Sequence, residues 1–307
     1  MPNSSSDGPE PEVPVASTVD LHTHSTASDG LYPPEELVAL ARDAGLRVIG
    51  LADHDTTNGL ALAMAAGDRL GVTVIPAIEI NTDLPQKRAE AHMLGYFIDF
   101  EQPELQRSLS VLREARALRG QRMVQRLRDL GLDVTWERVR ELAGGAVGRP
   151  HVARALLEKG YASSVSDAFD RYIGPGRPAY IPRYKVSPQD AVRLIRSARG
   201  VPVLAHPAYI TGLEDELLPS LAAVGLQGLE CYYGQYDAET VERLLRIAEA
   251  HGLLATGGSD YHGPNMHPTP LGGRYVPPVC VERLRFAGAE NHRAPAPGFT
   301  LPEPQQA

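Results

Sequence analysis

The sequence predicts an α/β barrel of the (β/α)8 type that is one unit short and carries a helical insertion. Three observations predict this fold. Seven short apolar runs alternate with helical patterns. Prolines and glycines mark the ends of those helical patterns. Residues 101–190 contain one helical pattern after another without a clear strand. Strands that alternate with helices typically build a parallel sheet or a barrel with the helices outside.

Each predicted strand is a short, β-rich apolar run. The predicted strands cover residues 18–21, 47–52, 72–78, 91–97, 202–205, 228–231 and 253–256. The predicted helices of the body cover residues 33–44, 58–70, 188–199, 214–224 and 238–251. Pro33 and Pro34 suit a first helical turn, while Gly45 and Gly252 suit helix ends. This order predicts parallel strands joined by crossover helices.

The chain divides into a body and an insertion. We expect residues 18–100 and 191–288 to form the barrel, residues 101–190 to form a small helical domain inserted into it, and residues 1–17 and 289–307 to be disordered tails. The insertion carries 16 Lys and Arg against 11 Asp and Glu, whereas the remainder carries 14 against 27. Two interpretations stay open: the arginines form an ordinary solvated helix face, or the insertion is a lid that attracts an anionic substrate.

Composition excludes several classes of protein. A formal net charge of −8 over 307 residues argues against a general nucleic-acid coat protein, and we expect no stable nucleic-acid complex. No apolar run is long enough to span a membrane, and the N-terminus lacks the pattern of a signal peptide. Two cysteines do not form a disulfide framework and suit a reducing compartment. We therefore expect a cytoplasmic protein, with an oligomeric state that the sequence does not indicate.

Histidines and carboxylates accumulate where the predicted strands end. His22 and His24 are two residues apart on the first strand, so both side chains point to one side and can share a metal ion. The other strand ends supply His54, His92, His206 and His262, with the carboxylates Asp29, Asp53, Glu79 and Asp260. The carboxyl ends of barrel strands form one rim, so these side chains should converge there. Imidazole and carboxylate donors without cysteine suit manganese, zinc or iron.

Six motifs carry a family resemblance. They are "DLHTHSTASDG", "GLADHDTTNG", "AIEI", "HMLGY", "LAHP" and "GSDYHG", in that order. Over residues 18–280 the chain resembles the PHP (polymerase and histidinol phosphatase) superfamily of metal-dependent phosphoesterases. The resemblance implies a distorted (β/α)7 barrel with two or three metal ions at its rim. It also implies three ligand sets: His22, His24, Glu79 and Asp260; Asp29, His54 and His262; and His92 with His206, bridged by Glu79.

Two aspartates beside His54 have two open interpretations. Asp53 and Asp55 could orient metal ligands through hydrogen bonds. Alternatively, Asp55 could cap the helix that begins near Asn58.

The implied chemistry is the hydrolysis of a phosphate ester. Adjacent divalent ions can supply hydroxide and clamp the oxygens of an in-line displacement, so no protein nucleophile is required. His206 is the one ligand for which we also consider a direct catalytic role. The sequence contains neither a G-x-S-x-G motif nor a P-loop, which argues against acyl transfer and nucleotide triphosphate hydrolysis.

The sequence of the insertion limits the classes of substrate that we expect. The stretch from "GRPH" to "YIPR" resembles PHP enzymes that act on nucleotides, namely 3′,5′-nucleotide bisphosphate phosphatases and the 5′–3′ exoribonuclease RNase AM. Arg149 and His151 begin a helix, where an anion is favoured. Alternatively, Arg149 pairs with a nearby Glu and His151 only starts the helix. The further basic candidates are Arg177, Arg183 and Lys185.

We therefore expect a manganese-dependent phosphoesterase acting on 3′,5′-bisphosphonucleotides, on 5′ ends of short RNA, or on both. Two other activities stay open, on nucleoside 5′-monophosphates and on histidinol phosphate. The insertion disfavours histidinol phosphate, because so small a substrate needs no nucleotide-sized lid. The alternative to an enzyme is a structural metal-binding PHP module without catalytic activity.

Overall fold

A computed structural model describes residues 17–84, 89–143, 147–182, 184, 186–264, 266 and 268–301. Within them, seven strands form one sheet whose spatial order follows the chain. The strands are β1 (Val19–Thr23), β2 (Val48–Leu51), β3 (Thr73–Leu84), β4 (Ala89–Tyr96), β5 (Val201–Leu204), β6 (Gly228–Tyr233) and β7 (Leu254–Gly258). Each of the seven predicted strands is therefore present with its ends moved by at most two residues, except that β3 continues six residues further than expected.

Ten α-helices connect and cover the strands in the described residues. They are α1 (Pro34–Asp43), α2 (Leu60–Leu70), α3 (Pro103–Asp129), α4 (Trp136–Ala143), α5 (Arg149–Glu158), α6 (Val165–Ala168), α7 (Pro188–Ser197), α8 (Leu218–Ala222), α9 (Ala238–Ala250) and α10 (Val279–Arg293). Pro34 and Pro188 each occupy a first helical turn, where a missing N–H is harmless. None of these helices is both long and apolar enough to cross a membrane.

The sheet is not fully parallel, which corrects one expectation. β4 runs antiparallel to both β3 and β5, whereas the other neighbouring pairs are parallel. Only four residues separate Leu84 from Ala89. A parallel return needs a crossover of a dozen or more residues, so a connection this short forces a hairpin. The second half of β3, Ala77–Leu84, pairs along its whole length with β4.

The two outer strands approach each other closely enough to make a nearly closed barrel. The His24 N–H donates to the carbonyl of Tyr261 at 2.9 Å, and the Tyr261 N–H donates to the carbonyl of His22 at 3.3 Å. Gly258, at the end of β7, permits this approach, because a Cβ atom there would lie 2.5 Å from the backbone nitrogen of His22. The first and last strand ends are thereby held side by side at one rim.

The interior of the barrel supports that rim. Ile75, Ala77 and Leu94 belong to a buried cluster that also includes Leu284 of α10. Alternation along a strand places Ile75 and Ala77 on the same face of β3 as Glu79. An apolar layer therefore lies beneath the polar rim, and a larger apolar cluster packs the helices against the sheet.

The insertion has a hydrophobic cluster of its own. Val124 and Leu127 of α3 pack there with side chains of α4 and α5, whereas Leu105 and Leu109 at the start of α3 belong to the barrel's cluster. One long helix thus connects the two cores. The separate cluster begins at Val124 and ends at Ala179, within the expected insertion of residues 101–190.

The tails differ in part from the expectation. Helix α10 continues to Arg293, beyond the expected boundary at 288, because the buried Asn291 donates to the carbonyl of Gly200. Leu301 is also buried, and its N–H donates to Ser108 Oγ. At the other end Ser17 is buried, and its hydroxyl donates to the carbonyl of Val19. Residues 1–16 and 302–307 lie outside the described part.

Candidate metal centre

The predicted donors gather at the carboxyl-end rim of the barrel. β1 carries His22 at its end, and His24 follows directly after it. The others lie after β1 (Asp29), after β2 (His54), in β3 (Glu79), in β4 (His92), after β5 (His206) and after β7 (Asp260 and His262). We call these nine side chains the donor cluster. Each of its imidazole rings lies within about 6 Å of another, centroid to centroid.

Glu79 occupies the middle of the donor cluster. Its side chain is 1% exposed. Its Oε2 atom faces ring nitrogens of His22 at 3.2 Å, His24 at 3.3 Å and His54 at 3.2 Å. Its Oε1 atom faces His92 at 2.9 Å and His206 at 3.2 Å. The two oxygens of one carboxylate therefore face two different groups of histidines.

Electrostatics keeps this carboxylate charged. Burial alone would raise the pKa of Glu79, but the surrounding histidines, His22 and His92 among them, hold that pKa well below its usual range. The same balance acts on Asp260, where His22 and His24 outweigh burial and lower the pKa of the carboxyl. Both groups are therefore anionic at neutral pH.

The first group of donors contains His22, His24, Glu79 and Asp260, with one ligand atom from each lying within 4.8 Å of all the others. His24 Nε2 lies 3.1 Å from Asp260 Oδ1. Within the described chain, neither ring nitrogen of His24 makes a hydrogen bond, although the side chain is fully buried. Burying the Nδ1 atom without a partner is costly, and the Nε2 atom faces only the carboxylate oxygens of Glu79 and Asp260. This arrangement suits a cation between the ring and the carboxylates.

A second group lies beside the first and contains His24, Asp29, His54 and His262. His262 Nε2 lies 3.3 Å from Asp29 Oδ1, and His54 Nε2 lies 3.9 Å from Asp29 Oδ2. The rings of His24 and His262 stack with their centroids 4.0 Å apart. The structure thus brings together the three donors expected here and adds His24 to them.

The third group differs in its membership from the expected one. His54, Glu79 and His92 lie within ligand distance of one another. His206 is outside that group and reaches it only through Glu79 Oε1. Burial lowers the pKa of His54 to about 3, so its ring is neutral and can offer a lone pair. The donors of all three groups are imidazole and carboxylate, which fits divalent first-row metals.

Backbone strain accompanies the site. His206 has a φ of 28° and Asp260 a φ of 56°, in the region that residues other than glycine rarely adopt. Asp55, next to His54, has a φ of 52°. Non-glycine residues in this region cost on the order of 1–3 kcal/mol each and persist only where their surroundings hold them.

Three buried carboxylates support the donor cluster, and the sequence indicated only one of them. Asp53 accepts hydrogen bonds from the backbone and hydroxyl of Ser25 and from the hydroxyl of Ser28. Asp20 accepts from Ser259 and from the backbone of Gly272, and Glu230 contacts His22. Asp20 and Glu230 were not predicted from the sequence. The available signal was a charged residue inside an otherwise apolar strand, in "VDL" for Asp20 and in "GLEC" for Glu230.

Asp55 does not cap a helix. Helix α2 begins at Leu60, beyond the reach of that side chain in the contacts described. Asp55 instead accepts from the backbone and side chain of Asn81 and pairs with Arg116 of α3 at 2.6 Å. Asn81 Nδ2 lies 3.2 Å from His54 Nδ1. Asp55 thus links the insertion to the donor cluster.

A cavity of about 220 Å³ lies between the donor cluster and the insertion. Asp29, His54 and His92 line its barrel side. Its insertion side carries the arginines Arg116, Arg119 and Arg149, with the aromatic rings of Phe169 and Tyr184. The sequence singled out Arg149 but missed Arg116 and Arg119. Their three-residue spacing on one helical face, close to Gly120, was the signal.

The other basic candidates have different positions. Arg177 is exposed and is not among the cavity-lining residues that the structure describes. Arg183 and Lys185 lie outside the described residues.

Arg149 and His151 begin helix α5 as expected, and both have partners. The Arg149 guanidinium donates to Glu90 of β4 at 3.2 Å and lies over the ring of Phe169. His151 is buried, and its Nδ1 accepts the N–H of Gly148 at 2.9 Å. The alternative of an arginine paired with a Glu is therefore realised, although that Glu belongs to the barrel. The pairing joins the insertion to the strand that carries His92.

Comparison with known proteins decides the family. The PHP domain matches residues 20–174. A 3′,5′-nucleoside bisphosphate phosphatase of Chromobacterium violaceum is 33% identical to this chain over 85% of the chain and 93% of its own length. The chain belongs to the PHP family. The expectation of PHP membership is thereby confirmed.

Further PHP relatives agree with this assignment. The 5′–3′ exoribonuclease Rnm of Salmonella typhimurium is 34% identical over 80% of this chain and 85% of its own length. A crystal structure from Bifidobacterium adolescentis, described as a metal-dependent phosphoesterase, is 34% identical, has a TM-score of 0.81, and covers 90% of this chain and 98% of its own. The names of these relatives describe the hydrolysis of phosphate esters. The predictions of a PHP barrel and of a metal-dependent phosphoesterase are confirmed at the level of this family.

Proposed function

We propose that this protein is a metal-dependent phosphoesterase that hydrolyses one phosphate ester of nucleotides carrying a second phosphate, as a phosphatase or as a 5′–3′ exoribonuclease. The substrate class is a 3′,5′-bisphosphonucleotide or the 5′ end of a short RNA. The observation that carries the proposal is the arginine-lined cavity directly beside the donor cluster. One part of the site suits cations, and the adjoining part suits an anion.

The nine side chains of the donor cluster are the proposed metal ligands. Glu79 would bridge, because its two oxygens face different groups of histidines. Manganese is the proposed metal, with zinc or iron as alternatives that this donor set also accommodates. When bound, divalent cations supply an activated water and positive charge at the phosphate oxygens.

The residues of the chain offer separate binding places for the two phosphates of the substrate. The scissile phosphate would lie at the rim, against the donor cluster. The second phosphate would face the guanidinium groups of Arg116, Arg119 and Arg149, which can donate paired hydrogen bonds to phosphate oxygens. Arg116 already pairs with the carboxylate of Asp55, and Arg149 already pairs with that of Glu90. Binding of a second phosphate at Arg149 therefore means exchange with Glu90.

Two substitutions at this pair test the proposal. Arg149→Ala removes the proposed phosphate contact, and we expect kcat/KM for adenosine 3′,5′-bisphosphate to fall roughly 30- to 1000-fold. Hydrolysis of a simple aryl phosphate should change little, because that substrate has no second phosphate. Glu90→Gln weakens the competing pair, so it should lower KM for the bisphosphate.

The matched control is Arg177→Ala, which removes an exposed arginine outside the described cavity lining. It should leave both substrates unaffected. The assay includes AMP, histidinol phosphate and a 5′-phosphorylated short RNA, with Mn²⁺ added. Equal losses on aryl phosphate and bisphosphate in Arg149→Ala would assign that residue to the fold or the metal site. Faster hydrolysis of AMP or histidinol phosphate than of the bisphosphate and the RNA by the wild-type protein would refute the substrate class.

A further inference from the structure

Glu230 lies behind the donor cluster on strand β6 and is fully buried. Its Oε1 atom is 2.9 Å from Nδ1 of His22, and its Oε2 atom accepts the backbone N–H of His206 at 2.8 Å. We infer that Glu230 is a positioning residue that orients two proposed metal ligands at once. The inference rests on the proposed metal site and adds to it a residue outside the ligand set.

The contact with His22 selects the orientation and tautomer of its ring. A carboxylate accepts hydrogen bonds, so the Nδ1 atom of His22 carries the hydrogen. With a cation bound, the lone pair would lie on Nε2, which faces Glu79 Oε2 at 3.2 Å and Asp260 Oδ1 at 3.3 Å. In metal sites, a carboxylate on the far nitrogen of a ligating histidine fixes the tautomer in this way and raises the basicity of the ring.

The contact with His206 stabilises a strained turn. His206 has a φ of 28°, and the short helical turn Pro207–Tyr209 follows it directly. The N–H of His206 donates to Glu230, and the N–H of Ala208 donates to the hydroxyl of Tyr236. These hydrogen bonds hold the turn so that His206 Nε2 reaches Glu79 Oε1. A strained conformation persists only where such neighbours hold it.

The two contacts are coupled because they use the two oxygens of one side chain. His22 belongs to the first donor group, and His206 reaches the third group through Glu79. One carboxylate thus sets the position of donors on opposite sides of Glu79. Glutamine has the same size but only one acceptor oxygen, so it cannot accept from both donors.

The test compares Glu230→Gln with Tyr236→Phe. Both substitutions preserve size, and both alter a hydrogen bond to the turn after β5. Only Glu230→Gln changes the partner of a histidine ring. We expect Glu230→Gln to weaken zinc or manganese affinity roughly 10- to 100-fold, as for other partners of ligating histidines. Tyr236→Phe should stay within about twofold of the wild type.

Affinity is measured by titration against a competing chelator, and folding of the metal-free proteins by denaturant unfolding. A destabilised Glu230→Gln with unchanged affinity would overturn the inference, since the role would then be structural. Equal losses in both variants would overturn it as well. If wild-type protein binds neither metal, the proposed function itself fails. If wild type and Glu230→Gln bind equally well, only the role of Glu230 is refuted.

A measurement on the wild type covers the case in which the variant does not fold. Zinc-loaded, ¹⁵N-histidine-labelled protein should show a slowly exchanging hydrogen on Nδ1 of His22 in long-range ¹H–¹⁵N spectra. A His22 ring without a hydrogen on Nδ1 would overturn the inference.

Discussion

Glu79 shows how strand geometry can place one side chain between several donors. It lies in the part of β3 that pairs with β4, and its own N–H donates to the carbonyl of Asp53 at 3.2 Å. The N–H of Asp55 donates in turn to the carbonyl of Glu79 at 3.0 Å. Backbone contacts on both sides therefore hold the carboxylate next to His54. A bridging role requires such restraint, because both oxygens must stay aligned.

Glu79→Gln should be more damaging than its small change in size suggests. An amide is uncharged and bridges cations poorly. We expect the bound metal to fall by at least one ion per chain and kcat for the proposed substrates to fall at least 100-fold. Metal analysis of the purified variant and steady-state kinetics check both numbers. Unchanged stoichiometry together with an unchanged rate would show that Glu79 is not the bridge.

At the residue scale, the donors of the site could be predicted and their supports could not. Most donors follow the ends of parallel strands, which a barrel brings to one rim, so local sequence indicated them. Glu79 and His92 lie inside β3 and β4 instead, and His92 reaches the same rim because β4 runs antiparallel. Glu230 and Asp20 lie inside strands, where the sequence does not reveal which neighbour each carboxylate faces. Arg116 was missed because its position depends on how α3 crosses the rim, a tertiary feature that helical periodicity does not encode.

Helix α5 starts with a histidine that acts as its cap. Gly148 precedes the helix, and the Nδ1 atom of His151 accepts the glycine's N–H. Burial lowers the pKa of His151 to about 4, and the nearby Arg154 and Arg116 add to that effect. The neutral ring is therefore the form that the fold requires, because only a neutral ring can accept that hydrogen bond.

This cap predicts how stability responds to acid. The pKa of His151 rises from about 4 in the folded protein to its ordinary 6.5 in the unfolded chain, so the unfolded state binds the proton more readily. The stabilisation is present above pH 6.5 and is lost as the pH falls toward 4. His151→Asn keeps an acceptor but does not titrate. Between pH 7 and pH 5 the wild type should lose about 2 kcal/mol more unfolding free energy than the variant. Parallel loss in both proteins, measured by urea unfolding, would contradict this account.

Strand β4 marks the limit of prediction at the element scale. Its apolar pattern identified a strand correctly, but periodicity does not carry direction. The predicted strands 72–78 and 91–97 leave twelve residues between them, enough for a crossover, whereas β3 and β4 extend further and leave only four. Helix α10 passes the barrel boundary expected at residue 288 for a different reason. Its last turns are polar, and hydrogen bonds of the buried Asn291 with Gly200, Gln227 and Arg196 stabilise them.

At the scale of the whole molecule, the rim holds several buried carboxylates close together, and these negative charges need positively charged partners. Glu79, Asp260 and Glu230 are buried among histidines, with few exposed atoms to reach water. Buried charges of this kind persist when they are paired or coordinate metals. Bound cations should therefore stabilise the fold in addition to serving the proposed reaction.

Chelation should lower the melting temperature. A ligand present at a hundredfold excess over its Kd stabilises the folded state by about 2.7 kcal/mol per site. We expect EDTA to lower Tm by several degrees and added Mn²⁺ to restore it, as followed by differential scanning calorimetry. Glu79→Gln should show a smaller EDTA effect than the wild type. Superimposable melting curves of the wild type with and without EDTA would argue against structural cations.

The separate hydrophobic cluster of the insertion has an evolutionary consequence. The nine side chains of the donor cluster all lie outside residues 101–190, whereas Arg116, Arg119 and Arg149 all lie within them. One continuous segment with its own core can accumulate substitutions, or be exchanged between related genes, while the rim stays intact. Related proteins that share the donor cluster could then diverge in substrate specificity through changes in a single segment of their genes.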